Sequence, residues 1–266
     1  MTDAKITGPI SASKIVAGAF QSKPANVIVV AKSGGDFTTI QAAMNSISVP
    51  WGTSTVISVM PGVYTEDNIV LKDFVHIQGS GREVTTIQAT SPSNDIITVN
   101  GRVNVAVSGL AIKGGNNGLN IVSCSPTIND NLVTGNNQGL NINYNATPVI
   151  TGNIISQNTM YGIYNRASTS EIRSNIISGS QQGIVIDSSS PLISGNTITG
   201  NTLSGVYNVV STAKIFHNVI TNNGSLYGDI FADSASVPNI SFNTFDTIVG
   251  TTTVGQYNVK SDGSIR

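Results

Sequence analysis

The chain has 266 residues, of which 39% are hydrophobic and only 10% charged, and its formal net charge is −1. So much apolar material excludes disorder driven by charge, and so little charge excludes a charged coiled coil and a basic footprint for nucleic acid. The single cysteine, Cys124, excludes an internal disulfide and a zinc knuckle; in Val122-Ser123-Cys124-Ser125 it reads as a small buried residue.

Residues 1–25 stand apart. Ile6, Ile10, Ile15 and Val16 are scattered among Ser, Ala and Gly, and Met1 to Phe20 has no apolar core of a secretory signal. No run reaches the length of a transmembrane helix, so no membrane insertion is expected. This segment is expected to be an attachment or oligomerisation element, or a flexible lead, through which a homotrimer or filament would form. Residues 26–266 form the expected folded domain.

Ile40, Ala43, Met44 and Ile47 recur at i, i+3, i+4 and i+7 behind Thr38 and Thr39 as candidate N-caps. That predicts one amphipathic helix closing the end of a stack. Short strands follow at Val56–Val59, Ile69–Leu71, Phe74–Ile77, Thr86–Gln88, Ile96–Val99 and Val105–Val107.

From residue 126 the chain repeats. The frame Pro126-x-Ile128-x-x-Asn131-x-Val133 returns around Asn153, Asn175, Asn196, Asn218 and Asn243, at spacings of 22, 22, 21, 22 and 25 residues. A second marker runs in phase: Gly118-Leu119, Gly139-Leu140, Gly162-Ile163, Gly183-Ile184 and Gly205-Val206. Each repeat carries apolar residues at i and i+2, the alternation of a strand with one face inward. No segment within a repeat is long enough for a helix. The expected fold is therefore all-β, a right-handed parallel β-helix of about 22 residues per coil, since parallel crossovers are right-handed in nearly all cases. Roughly nine or ten coils would make a rod about 45 Å long. The recurring Asn is expected to sit at a sharp inward bend in the left-handed conformation and to bond to the coils above and below. The tail from Gln256 loses the period and is expected to cover the far end.

Three ordered blocks resemble the opening of pectinesterases: Val29 to Ala43 with Ser33-Gly34-Gly35-Asp36-Phe37, then Met60-Pro61-Gly62-Val63-Tyr64-Thr65-Glu66, then Gln78-Gly79-Ser80-Gly81-Arg82 with Thr85-Thr86-Ile87. They span about 60 residues, and the later repeats resemble those of the pectin-lyase-like superfamily. The resemblance implies the parallel β-helix and a polysaccharide context. The matched blocks read as an opening strand, the capping helix and a turn. The Asp-Phe-Ile-Phe-Gly and Leu-Gly-Arg-Pro-Trp blocks of pectinesterases are absent; Gly228-Asp229-Ile230-Phe231-Ala232 is a partial echo of the first.

Stacking the repeats places residues after each Gly in two outward columns, Asn141, Tyr164, Val185, Tyr207 and Asn143, Arg166, Asp187, Val209. Aromatic rings can stack on sugar faces and a guanidinium can hold a carboxylate. Asn141, Asn143, Tyr164, Arg166, Asp187 and Tyr207 are thus the candidate substrate-binding residues; the plainer reading of Arg166 and Asp187 is a surface ion pair. Asp229 and Asp233 read as solvated loop acids, and Glu66 and Asp67 as turn acids. His76 and His217 lie about six coils apart and read as surface or turn residues. No catalytic residues emerge: neither a Ser-His-Asp arrangement nor a phosphate loop nor a metal-ligand spacing appears, so neither metal nor cofactor is expected. The readings that remain are a non-catalytic carbohydrate-recognising or structural β-helix of a cell surface, filament or phage tail, a polysaccharide lyase, hydrolase or esterase, and a scaffold without ligand. A polysaccharide or surface glycan is the expected partner, and the expected location is extracellular, surface-associated or on a virion.

Overall fold

The computed structural model describes residues 26–48, 53–250 and 254–265; the N-terminal segment 1–25 lies outside them. Among the described residues the chain winds into three parallel sheets of ten, nine and nine strands, in which hydrogen-bonded neighbours come from successive coils. The winding is right-handed, with about 22 residues per coil. One rule builds the coils from residue 126 onward. A three-residue strand needs only its central side chain inside, and that residue is Ile128, Ile150, Ile172, Ile193, Ile215 and Ile240 down the first sheet. The second sheet contributes Val133, Ile155, Ile177, Ile198, Ile220 and Phe245 in the same way. The third sheet has longer strands, such as Gln138–Asn143 and Tyr161–Arg166, and points two residues inward from each, Leu140 with Ile142 and Ile163 with Asn165. Each buried aliphatic side chain contributes about 1.5–3 kcal/mol, and the register repeats the same contact from coil to coil.

The asparagine column is present, and it corrects one expectation. The left-handed residue is the one before each Asn: Asp130, Gly152, Ser174, Gly195, His217 and Phe242 all have φ between 57° and 69° or, for Ser174, 55°. That residue makes the bend and leaves Asn free to act as a cross-coil bracket. Asn153 Nδ2 donates to Ile128 O at 2.9 Å and to Asn175 Oδ1 at 3.0 Å, and its own Oδ1 accepts from Asn131 N at 3.0 Å. Asn258 adds a rung that the period hides, because only 15 residues separate it from Asn243. A second ladder went unread in the sequence: Asn136, Asn158, Asn201 and Asn223 fill the turn between the second and third sheets. Asp229 ends it. Its carboxylate is 1% exposed and accepts from Asn223 N, Asn223 Nδ2, Asp246 N and Thr247 N, so it is a buried structural anchor and not a solvated loop acid. The third turn carries serines, with Ser168 Oγ accepting from Ala146 N and Ser189 Oγ from Ser168 N.

The glycine marker answers to proximity between coils. A Cβ on Gly162 would lie 2.6 Å from Gly183 O, and one on Gly183 2.6 Å from Gly205 O. Only glycine lets the third sheet close up at that column. Cys124 is buried and its thiol donates to Val99 O at 3.3 Å.

The helix Ile40–Ser46 lies over the first coils with Ile40, Ala43 and Met44 buried, and Thr39 caps it by accepting from Ala42 N. Glu66 was expected to be a turn acid. Its two carboxylate oxygens instead accept from Ile40 N at 2.8 Å and Gln41 N at 2.9 Å, while Lys72 Nζ donates to Ile47 O at the other end. Opposite charges thus meet both poles of the helix. Replacing Glu66 with Ala is expected to cost about 1–2 kcal/mol, read as a lower urea midpoint. Asp67 accepts from Thr90 N and Thr90 Oγ1, and that hydroxyl is the main cause holding its pKa below the usual range. The Met60-to-Glu66 block is a strand, Gly62–Thr65, with Tyr64 buried, and not only a turn. At the far end the tail folds back, and Val259 bridges Thr244 in parallel and Ile265 antiparallel. Among the described residues no helix is long and apolar enough to cross a membrane.

Candidate functional site

The outward face of the third sheet carries the candidate residues. Asn141 pairs with Tyr164, Tyr164 with Val185, and Val185 with Tyr207; beside them Arg166 pairs with Asp187 and Asp187 with Val209. Side chains separated by some 22 residues in sequence therefore become vertical neighbours. The six do not form one cluster. Tyr164, Asp187 and Tyr207 line a groove of about 440 Å³ together with Tyr161, Gln181, Gln182, Leu203 and Tyr227 among others. Arg166 sits at its edge, 3.5 Å from Asp187. Asn141 and Asn143 lie on the preceding coil, outside the groove, where Asn143 Nδ2 donates to Asn141 Oδ1 at 2.7 Å.

Aromatic pairs wall the groove at both ends. Tyr161 and Tyr164 stack with centroids 5.4 Å apart. Two coils on, Tyr207 stacks on Phe231 of the following coil at 4.4 Å, and Tyr227 presents its edge to both. Stacked and edge-on pairs are each worth about 0.5–1.5 kcal/mol beyond their buried area, so each ring is braced by a neighbour. Between them the floor is Val185 and Gln182, both buried. Tyr161, Tyr227 and Phe231 were not singled out from the sequence. Tyr161 had a signal: it occupies the position before the Gly marker that Gln138 and Gln182 fill in adjacent coils. Phe231 sits in the Gly228-to-Ala232 block noted above, but nothing there showed that its ring would meet Tyr207.

Asp187 organises the groove's polar atoms. Tyr164 Oη donates to Asp187 Oδ2 at 3.0 Å, and Ser188 Oγ donates to Oδ1 at 2.9 Å. The Tyr164 hydroxyl is pushed up to about 12, by burial first and then by its bond to the Asp187 carboxylate. Burial likewise raises Tyr207, with Tyr227 and Asp233 adding to it. A folded-state value above the unfolded one contributes stability that is fully present below about pH 10 and lost as pH rises through about 12. Ultraviolet titration is expected to show one tyrosine ionising last, and Asp187→Asn is expected to bring it down toward the ordinary value.

Neither histidine enters the groove. Burial on the first sheet pushes His76 down, and His217 stacks on Phe242 at a turn. Asp233 accepts from Val210 N beside the groove.

The fold and this face define a class: a right-handed parallel β-helix of the pectin-lyase-like superfamily, bearing an aromatic groove on one sheet. Residues 60–258 match the family model described as periplasmic copper-binding protein (NosD), and the chain belongs to that family. No curated protein matches it in sequence. Among solved structures, an alginate lyase from Paenibacillus sp. str. FPU-7 matches with a TM-score of 0.69 at 13% identity, over 90% of this chain and 97% of that one. Pectin methylesterase from Aspergillus niger matches at 0.63 and 14% identity, over 93% and 94%. A protein of Geobacillus virus E2 matches at 0.54 and 14%, over 88% of this chain and 61% of that one. At such identities the likeness is one of fold.

Proposed function

We propose that this protein is a non-catalytic carbohydrate-recognising β-helix whose groove on the third sheet holds a glycan chain. The observation that carries this reading is the pair of fixed aromatic walls with amides and hydroxyls between them. Ring faces can cover the apolar face of a sugar while Gln181, Gln182 and the tyrosine hydroxyls meet its hydroxyl groups. Asp187 is the one carboxylate lining this groove, and it is engaged by Tyr164, Ser188 and Arg166. Glycosidic cleavage by paired carboxylates would need a second one a few ångströms away.

The family's description names copper. Among the described residues the donors do not fit it: Cys124 is buried and bonded to a carbonyl, His76 and His217 lie on different coils, Met44 is in the core under the helix, and Met60 and Met160 lie on coils far apart in the rod. Nor do three or more His, Cys, Asp or Glu side chains gather anywhere among those residues. The same description names the periplasm, which supports a place outside the cytoplasm; a virion is the other setting that a glycan-recognising rod fits. Residues 1–25 would then serve as the attachment or oligomerisation segment.

The test is a glycan array coupled to a product assay on the same polymers. Retention with no reducing ends or unsaturated products released is the expected result. Turnover of any polymer would make the protein an enzyme and overturn the reading.

A further inference from the structure

We infer that the groove selects electrically neutral polysaccharide and rejects uronate polymers; the inference rests on the glycan-binding reading above. The charge distribution carries it. Along the third sheet from Asn117 to Phe231, five six-residue strands and the strand Ile230–Ala232 contain just two charged side chains, Arg166 and Asp187. They neutralise each other at 3.5 Å. Within the groove lining the sole charge is the Asp187 carboxylate, and Asp233 approaches the far wall at Val210 N. A polymer bearing a carboxylate on every residue would set like charges a few ångströms apart in a half-buried site, and the cation at its edge, Arg166, is already paired with Asp187.

The remaining lining is suited to hydroxyls. Gln181 and Gln182 each offer donors and an acceptor, and each tyrosine hydroxyl can both donate and accept. The aromatic residues also set the direction of the ligand. Tyr164 and Tyr207 share a column two coils apart, about 9.6 Å at the spacing of paired strands. The chain would therefore run along the rod axis, across the strands, with its sugar faces on Tyr164 and Tyr207 and the intervening linkage over Val185.

The experiment is affinity electrophoresis and calorimetry of the full chain against neutral hexose polymers and against alginate and polygalacturonate, at about 50 and about 500 mM NaCl. Expected is a neutral polymer bound at least about tenfold more tightly than either uronate polymer, with an affinity that salt leaves unchanged. The variant Asp187→Asn, checked for its fold by circular dichroism, is expected to narrow that ratio by admitting uronates. Binding of uronates as tight as that of any neutral polymer, or a ratio unmoved in Asp187→Asn, overturns the selectivity and leaves glycan recognition standing. Retention of no polymer of either kind overturns both.

Discussion

Tyr164→Ala combined with Tyr207→Ala is expected to abolish retention by any glycan the wild-type protein holds, a loss of about 100-fold or more in affinity. Each ring is braced by a neighbour, Tyr164 by Tyr161 and Tyr207 by Phe231 and Tyr227. Removing the pair deletes both sugar faces and loosens the rings left behind. Both side chains point outward from the third sheet while Ile163 and Val206 fill the core beneath, so the fold is expected to survive. Unchanged circular dichroism with lost retention is the expected combination. Tyr164→Phe should have a milder effect: the ring stays, and only the hydroxyl bond to Asp187 is lost. Full affinity in the double variant would remove the groove from consideration as the site.

The second large effect belongs to stability. Asn175→Ala is expected to cost about 3–5 kcal/mol, because it strips several buried bonds at once. Asn175 Nδ2 donates to Ile150 O, Arg173 O and Asn196 Oδ1, and Asn175 Oδ1 accepts from both nitrogens of Asn153. The change takes the Asn175 partner from these carbonyls and from Asn153 N. Asn129→Ala, on the outward face of the first sheet, is expected to shift stability by under about 0.5 kcal/mol. Urea denaturation followed by tryptophan-independent circular dichroism separates the two. Equal effects would mean that the ladder merely fills space.

The difference between these two asparagines shows which parts of the molecule could be read in advance. Asn131 to Asn243 announced themselves because a buried bracket must recur once per coil, and the coil length is nearly constant. The inward isoleucines and the outward Tyr164–Tyr207 column followed from the same period and the two-residue alternation of a strand. The second ladder was hidden because Ser180 interrupts it and Asp229 closes it from a longer coil. Glu66 read as a turn acid because its partners, Ile40 and Gln41, lie 26 and 25 residues earlier in the irregular coils. The groove's walls were half visible for a similar reason. Tyr227 comes from a turn of altered length, so no register argument could place its edge against Tyr207. Periodicity reveals what repeats, whereas binding surfaces are built where repetition is broken.

The left-handed corner that precedes each asparagine has a further use. Asp130, Gly152, Ser174, Gly195, His217, Phe242 and Tyr257 share that corner, yet they range from no side chain to a phenol ring. The backbone bend is enforced by the bracket behind it, so the exposed letter at each corner is free to vary. Toward the C-terminal end that freedom is already used, where His217, Phe242 and Tyr257 stack at 5.2 and 4.9 Å. The rod therefore carries a ruled margin, one writable position per storey, on which dyes, chelating groups or charged tags could be mounted in a straight line without touching the interior.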